Sequence, residues 1–207
     1  MNLQISFDLT DLKKSIEIAK EVEDYADIIE VGAILIYKYG VHAIKEFRAN
    51  LNKKTILADS KIVDRSKEIT TVLAEAGCDW ITVMSGTRKS VIQTAAQTAH
   101  QFNKKVMLDI VDAQSQGQSA LEAKTLGMDA ILFHQQYDEE NKAIFMDNWE
   151  LVRGNTDLPI YVSAMINRKN IENLLELKPE GLVIGKSIVD ADNPKEEAKF
   201  YYELCKR

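Results

Sequence analysis

Cysteine, proline, glycine and positive charge are all scarce in this 207-residue chain. The two cysteines, Cys78 and Cys205, lie far apart and in no metal-ligand spacing, so nothing suggests a cysteine-held metal. Cys78, in Ala76-Gly77-Cys78-Asp79-Trp80 ahead of a β-rich run, reads as a small buried hydrophobe. With three prolines and nine glycines, no linker or low-complexity stretch divides the chain. Acids outnumber bases by 32 to 26, for a formal charge of −6. That balance excludes a general attraction for nucleic acid or an anionic membrane, so any phosphate must be gripped locally. No apolar run approaches the length that spans a bilayer. The start, Met1-Asn2-Leu3-Gln4-Ile5-Ser6-Phe7-Asp8, has no basic segment followed by a long apolar one, so a cytoplasmic protein is expected.

What the chain has is alternation. Short β-rich runs fall at Leu3–Phe7, Asp27–Val31, Thr55–Asp59, Trp80–Met84, Val106–Val111, Ala130–His134, Ile160–Ser163 and Leu182–Ile184. Several are apolar throughout, as in Ile81-Thr82-Val83-Met84 and Ala130-Ile131-Leu132-Phe133, which is how parallel strands buried on both faces read. Between them lie amphipathic segments such as Leu12–Val22, Ser66–Ala76, Ser90–Phe102, Ala120–Leu126 and Asn170–Leu177. Ala143–Val152 is a further helical stretch, with Trp149 as its packing anchor. Gly77-Cys78-Asp79 and Gly127-Met128-Asp129 repeat one device, a glycine that ends a helix and an aspartate that opens a strand. Asn193-Pro194 starts the last helix. Eight such runs, each followed by a helix, predict one α/β domain over residues 1–207, a single (β/α)₈ TIM barrel. The alternative is a doubly wound open sheet, but its usual glycine-rich first turn is absent from Phe7-Asp8-Leu9-Thr10.

In a barrel the side chains at the carboxyl ends of strands face the active-site mouth. Those ends carry Asp8, Glu30, Asp59 with Lys61, Asp109 and His134. A single acid there could equally cap the next helix. Convergent carboxylates repel one another and lose solvation, so a set of them calls for a cation, either Lys61 or a metal. Strand alternation predicts that Asp59 and Lys61 face the same way. Asp64, where the chain leaves the strand, has helix capping as its plainer role. His42 and His100 lie on helical segments without such company and read as surface or packing residues.

The segment Asp59-Ser60-Lys61-Ile62-Val63-Asp64 resembles the Asp-x-Lys-x-x-Asp signature of the orotidine 5′-monophosphate decarboxylase superfamily. It most resembles the branch of 3-hexulose-6-phosphate synthase and 3-keto-L-gulonate 6-phosphate decarboxylase. The likeness runs nearly end to end, through Ile29-Glu30-Val31-Gly32, Lys105-Val106-Met107-Leu108-Asp109, Phe133-His134-Gln135-Gln136-Tyr137-Asp138 and Leu182-Val183-Ile184-Gly185. The resemblance implies a metal-dependent lyase acting on a phosphorylated sugar through an enediolate. It implies Glu30 and Asp59 as ligands of Mg²⁺, Lys61 between Asp59 and Asp8 as the charge that steadies the enediolate, and His134 as proton carrier. Asp64 would reach into a partner's site, making a homodimer with shared active sites.

Two places depart from the family pattern. The seventh-strand turn, usually Gly-Gly, reads Ala164-Met165 here, while the eighth strand keeps Gly185 followed by Lys186. These four residues are the expected phosphate grip, with backbone N–H groups as donors. Alanine keeps its N–H available if φ stays negative, and Lys186 is either a phosphate ligand or a solvated charge. After the fourth strand, Ser85-Gly86-Thr87-Arg88 lacks the acid relatives often carry, and Arg88 either meets phosphate or opens its helix. Three residues past His134 the decarboxylases tend to carry Arg, whereas Tyr137-Asp138 resembles the synthases. Asp109 fits both. Aldol condensation of formaldehyde with ribulose 5-phosphate is therefore the first expectation. Decarboxylation of 3-keto-L-gulonate 6-phosphate is the second, and action on another ketose phosphate a third. From a different class, a non-catalytic barrel that only binds a phosphorylated ligand would show eroded metal and acid–base residues, and none of these has eroded.

Overall fold

A computed structural model describes residues 1–137, 140 and 142–207. Eight parallel strands close into a barrel in sequence order: β1 (Asn2–Phe7), β2 (Ile28–Val31), β3 (Thr55–Ile62), β4 (Trp80–Met84), β5 (Lys105–Asp109), β6 (Ala130–His134), β7 (Ile160–Ser163) and β8 (Gly181–Ile184). Pairing of β1 with β8, Leu3 opposite Leu182, completes the ring and excludes the open sheet. The helices between them are α1 (Leu12–Val22), α2 (Ala33–Tyr39), α3 (Val41–Asn50), α4 (Ser66–Ala76), α5 (Lys89–Gln101), α6 (Gln116–Ala123), α7 (Lys142–Arg153), α8 (Ile171–Leu175), α9 (Lys186–Val189) and α10 (Pro194–Cys205). None among the described residues is long and apolar enough to cross a membrane.

Strand alternation sorts the side chains into two layers. Outward-facing residues such as Leu3, Ile5, Phe7, Ile81, Val83 and Phe133 pack under the helices in one large core. Edge-to-face contacts of Phe133 with Phe145 (5.1 Å) and Trp149 (5.7 Å) dock α7, so Trp149 is the anchor its sequence context implies. Inside the barrel, Ile28, Leu57, Trp80, Met107, Leu132, Tyr161 and Val183 form a second apolar cluster. Two residues further along each of these strands comes Glu30, Asp59, Thr82, Asp109, His134, Ser163 or Gly185. The barrel interior is therefore apolar towards the strand starts and polar at the mouth, and that gradient positions the site.

The acids before the strands are caps for their neighbours. Asp27 accepts from Leu3 N–H (2.8 Å), Asp79 from Ile56 N–H (2.9 Å), Asp129 from Val106 N–H (2.8 Å) and Glu180 from Ile160 N–H (2.7 Å). Each satisfies an amide at the first or second residue of the preceding strand, a donor that burial would otherwise leave unpaired. Gly77, left-handed at φ 103°, lets the chain turn out of α4. The last helix opens at Asn193, whose side chain accepts from Glu196 N–H (3.2 Å), with Pro194 in the first turn. Several boundaries differ from the sequence expectation: β5 ends at Asp109 rather than Val111, and α8 at Leu175 rather than Leu177. β3 continues past Asp59 to Ile62, and α6 begins at Gln116 because Ser115 caps it there rather than nearer Ala120.

Candidate active site

β3 carries the main irregularity of the barrel. Ala58 pairs with Ile81 and Ile62 with Val83, so Asp59, Ser60 and Lys61 together face the single residue Thr82 on β4. Lys61 sits in the bulge at φ 46°, in the left-handed region that a non-glycine residue adopts only under constraint. Asp59 and Lys61 do converge, as the sequence predicts, but through this kink and not through regular alternation. The Lys61 ammonium lies 3.2 Å from Asp59 Oδ1 and 2.8 Å from Asp109 Oδ2. Its acidic neighbours are thus Asp59 and Asp109, not Asp59 and Asp8: the bulge turns the side chain towards β5 and away from β1.

Asp109 is fully buried at the end of β5. Its Oδ1 accepts from Val111 N–H (3.0 Å), and its Oδ2 also lies 3.4 Å from His134 Nδ1. Burial opposes ionisation of Asp109, but the contact with His134 and the Lys61 charge outweigh it and hold its carboxyl below the ordinary value. Burial likewise opposes the charge on Lys61, and the two carboxylates more than reverse this, pushing its pKa above that of a free lysine. For Asp59 burial wins: Lys61 and a hydrogen bond from Thr82 lower its pKa, yet it stays raised.

Glu30, at the mouth end of β2, is as buried as Asp59. Its Oε1 accepts from Ser6 Oγ–H (2.7 Å) and its Oε2 from Gln4 Nε2–H, both inward-facing residues of β1. Burial first, and then the charge of Asp59, raise its pKa to about 8 against these two hydrogen bonds. Asp8 is exposed at the rim, with its Oδ2 3.4 Å from Ser6 Oγ. Its Oδ1 accepts from Ile34 N–H (3.3 Å) at the start of α2, where it packs against Gly32. A Cβ on Gly32 would fall 2.2 Å from that oxygen, which is why glycine precedes the helix.

Of the expected phosphate grip, Met165 and not Ala164 takes the left-handed conformation that a glycine would favour, at φ 50°. Met165 is 69% exposed and Ala164 is buried. Ser187 Oγ–H donates to Ile166 O (2.6 Å), tying this turn to the segment after β8, where Gly185 precedes α9 and Lys186 is exposed. Asp64 is exposed and its side chain makes no hydrogen bond or ion pair among the described residues. Arg65, left-handed at φ 48°, occupies the capping position of α4, so helix capping by Asp64 is ruled out. Arg88 opens α5. Tyr137 is 4% exposed and packs edge-to-face on Phe145 at 4.9 Å, so it turns into the core and not to the mouth. Asp138 lies outside the described residues. His42 is beside Glu46, and His100 pairs with Asp129 at 3.0 Å, both away from the site.

Sequence reasoning missed Gln4, Ser6 and Thr82. Each is a polar residue at an inward position of a strand: the two-residue step from Trp80 reaches Thr82, and strand alternation puts Gln4 and Ser6 on one face of β1. Among the described residues, no group of three or more His, Cys, Asp or Glu side chains is arranged to hold a metal. What the site offers a hard cation is two buried, electrostatically coupled carboxylates, Glu30 and Asp59, both with raised pKa.

Comparison with known proteins agrees with this architecture. Residues 1–201 match the family described as orotidine 5′-phosphate decarboxylase / HUMPS. The 3-hexulose-6-phosphate synthase of Bacillus subtilis is 30% identical over 206 residues, covering 99% of this chain and 98% of that protein. The one from Staphylococcus aureus strain bovine RF122 is 30% identical over 201 residues, or 96% of each. Among solved structures, 3-hexulose-6-phosphate synthase from Salmonella typhimurium superposes with a TM-score of 0.90 at 26% identity, over 99% of this chain and 98% of that one. KGPDC from Streptococcus mutans, solved as a complex, shares the fold with a TM-score of 0.89 at 20% identity, covering 100% of this chain and 98% of that one. This chain belongs to the orotidine 5′-phosphate decarboxylase / HUMPS family.

Proposed function

We propose that this chain is a carbon–carbon lyase of the 3-hexulose-6-phosphate synthase type, joining formaldehyde to ribulose 5-phosphate in the cytoplasm. The observation that carries the reading is the row Asp59–Lys61–Asp109–His134, held together at the mouth beside buried Glu30. A ketose phosphate must lose a proton from C1, next to the C2 carbonyl, to become an enediolate. Asp109, kept ionised by Lys61, accepts from His134 Nδ1–H, which leaves Nε2 as the base that takes this proton. The electron pair of the C1–H bond becomes the C1–C2 double bond, and the C2 oxygen takes the negative charge. C1 then attacks the formaldehyde carbon. The former formaldehyde oxygen receives the proton back from Nε2, and the C2 carbonyl re-forms. Lys61 holds its charge throughout, because two carboxylates share it, and steadies the oxyanion.

Glu30 and Asp59 fit Mg²⁺, since oxygen ligands from one or two carboxylates plus water and substrate are its usual set. When bound, that ion would polarise the carbonyl and neighbouring hydroxyl. Phosphate would lie against the backbone around Ala164, Met165 and Gly185, with Lys186 beside it. The inward turn of Tyr137 supports synthesis over decarboxylation, because no cation at that position waits to protonate the enediolate. A homodimer is supported by apolar side chains left on one side of the mouth: Ile34 and Tyr37 (82% exposed) on α2, and Val63 beside Asp64. A second copy covering them would bring its Asp64 to the site.

The test is a panel of ketose phosphates, with and without formaldehyde, in Mg²⁺ and in EDTA. Formaldehyde consumption with ribulose 5-phosphate, lost in EDTA, is the expected result. CO₂ release from 3-keto-L-gulonate 6-phosphate with no formaldehyde fixation would overturn it. Sedimentation as an active monomer at micromolar concentration would remove the shared site.

A further inference from the structure

The bulge in β3 leaves the Lys61 amide out of the regular strand ladder, and a buried N–H without a partner is destabilising. Thr82 resolves this. Its Oγ accepts from Lys61 N–H at 2.9 Å and donates its own proton to Asp59 Oδ1 at 2.9 Å, while its carbonyl accepts from Ser60 Oγ–H at 2.9 Å. One residue on β4 thus bonds to all three residues of the bulge. It is 1% exposed, so water does not compete for these bonds.

We infer that Thr82 is the positioning residue of this site, the group that fixes the left-handed backbone of Lys61 and so aims its ammonium between Asp59 and Asp109. Here one oxygen both accepts from the amide and donates to the carboxylate, which a hydroxyl does and a methyl cannot. A valine of the same shape would leave the Lys61 amide and one lone pair of Asp59 unsatisfied. With that bond gone, the strained φ of 46° at Lys61 loses what holds it, and the residue relaxes towards ordinary strand geometry, where the side chain faces elsewhere. Thr82 does not touch the reacting carbons. It acts through Lys61 and Asp59, so removing it should slow turnover while leaving the phosphate end of the sugar bound as before.

This inference rests on the reading that Lys61 serves the reaction, and the experiment separates the two. The parent, Thr82→Val and Thr82→Ser are assayed for aldol condensation, and each is crystallised. The expected result for Thr82→Val is a kcat lowered by roughly 10- to 100-fold, the scale of a misplaced reacting group, with KM for ribulose 5-phosphate within about threefold of the parent. Thr82→Ser, which keeps the hydroxyl, should stay within about threefold on both counts, a rescue that simple core packing would not produce. In the Thr82→Val crystal, Lys61 should leave positive φ and its Nζ should part from Asp109. If Lys61 stays in place, or kcat is unchanged in an active protein, Thr82 is not the positioning residue. If the parent has no aldol activity yet Thr82→Val displaces Lys61, the positioning role stands and the proposed function falls. Should Thr82→Val fail to fold, Thr82→Cys, close in shape but weak in hydrogen bonding, must show the same split against serine.

Discussion

The mouth of the barrel has two corners built from the same kind of residue with opposite electrostatics. In the β1–β2 corner Glu30 is buried under Gln4 and Ser6, two neutral donors, and its pKa rises to about 8. In the β3–β6 corner Asp109 is buried just as deeply, yet Lys61 and His134 hold its pKa down. Asp59 stands between them, bonded to Lys61 on one side and electrostatically coupled to Glu30 on the other. Burial alone does not decide the state of a carboxyl here; what its neighbours return against burial does, enough at Asp109, which has both His134 and Lys61, and too little at Asp59 and Glu30. One corner carries its own cation, in a row that can pass a proton and hold a charge. The other is short of a positive charge, and that shortage is what a divalent ion would relieve.

The largest effect should come from breaking the cation-poor corner. Glu30→Gln should remove activity below detection while the protein stays folded, since the amide keeps the shape but gives up the charge. Next is His134→Asn, which should lower kcat by about 10²–10⁴, the usual contribution of a positioned acid–base group. Substrate affinity should change little, and exchange of the C1 proton with D₂O in the absence of formaldehyde should slow by the same factor. Exchange as fast as the parent's would place the base elsewhere.

A smaller effect concerns stability and sharpens the contrast between corners. Glu30 shifts from an ordinary 4.5 to about 8, so between these values the folded chain keeps a proton that the unfolded chain has lost. Its contribution is complete below about pH 4.5 and declines as pH rises through 8. In metal-free buffer, Glu30→Gln should therefore melt above the parent, with the gap widening from pH 5 to pH 8. Each kcal/mol would appear as about 2–4 °C in a chain this size. Asp109→Asn should do the reverse, melting below the parent at pH 7, because it removes the negative charge that Lys61 and His134 share. The smallest effect belongs to the phosphate side. Met165→Gly removes a left-handed strain worth roughly 1 kcal/mol, offset in part by the greater backbone freedom of the unfolded chain. A melting shift of only a degree or two is expected, with KM for the sugar phosphate altered a few-fold at most.

The sequence revealed the barrel because its signals are local. Apolar runs, terminal glycines and strand-opening acids recur at a spacing that leaves few alternatives, and the β1–β8 closure follows from their number. The acids and the histidine at strand ends were legible for the same reason. Lys61 was harder. Alternation put it on the correct side, but the bulge that aims it at Asp109 instead of Asp8 depends on Thr82, 21 residues away. Hydroxyls and amides such as Thr82, Ser6 and Gln4 look like tolerated polar residues in apolar strands until pairing shows what they face. Tyr137 served in the sequence only to separate the two branches by its spacing from His134, and its contact with Phe145 is what shows the turn inward. Asp64 remained open in the sequence because its proposed partner is a second chain.

The most direct test of the two-corner account is a thermal melt at pH 8 with and without millimolar Mg²⁺. The parent should be stabilised by Mg²⁺, because the ion supplies the charge that Glu30 lacks and adds to what Lys61 gives Asp59, two carboxyls that burial holds at raised pKa. That gain should be lost in Glu30→Gln and in Asp59→Asn, and kept in His134→Asn, whose corner already has its cation. An equal Mg²⁺ shift in the parent and in Glu30→Gln would contradict the account.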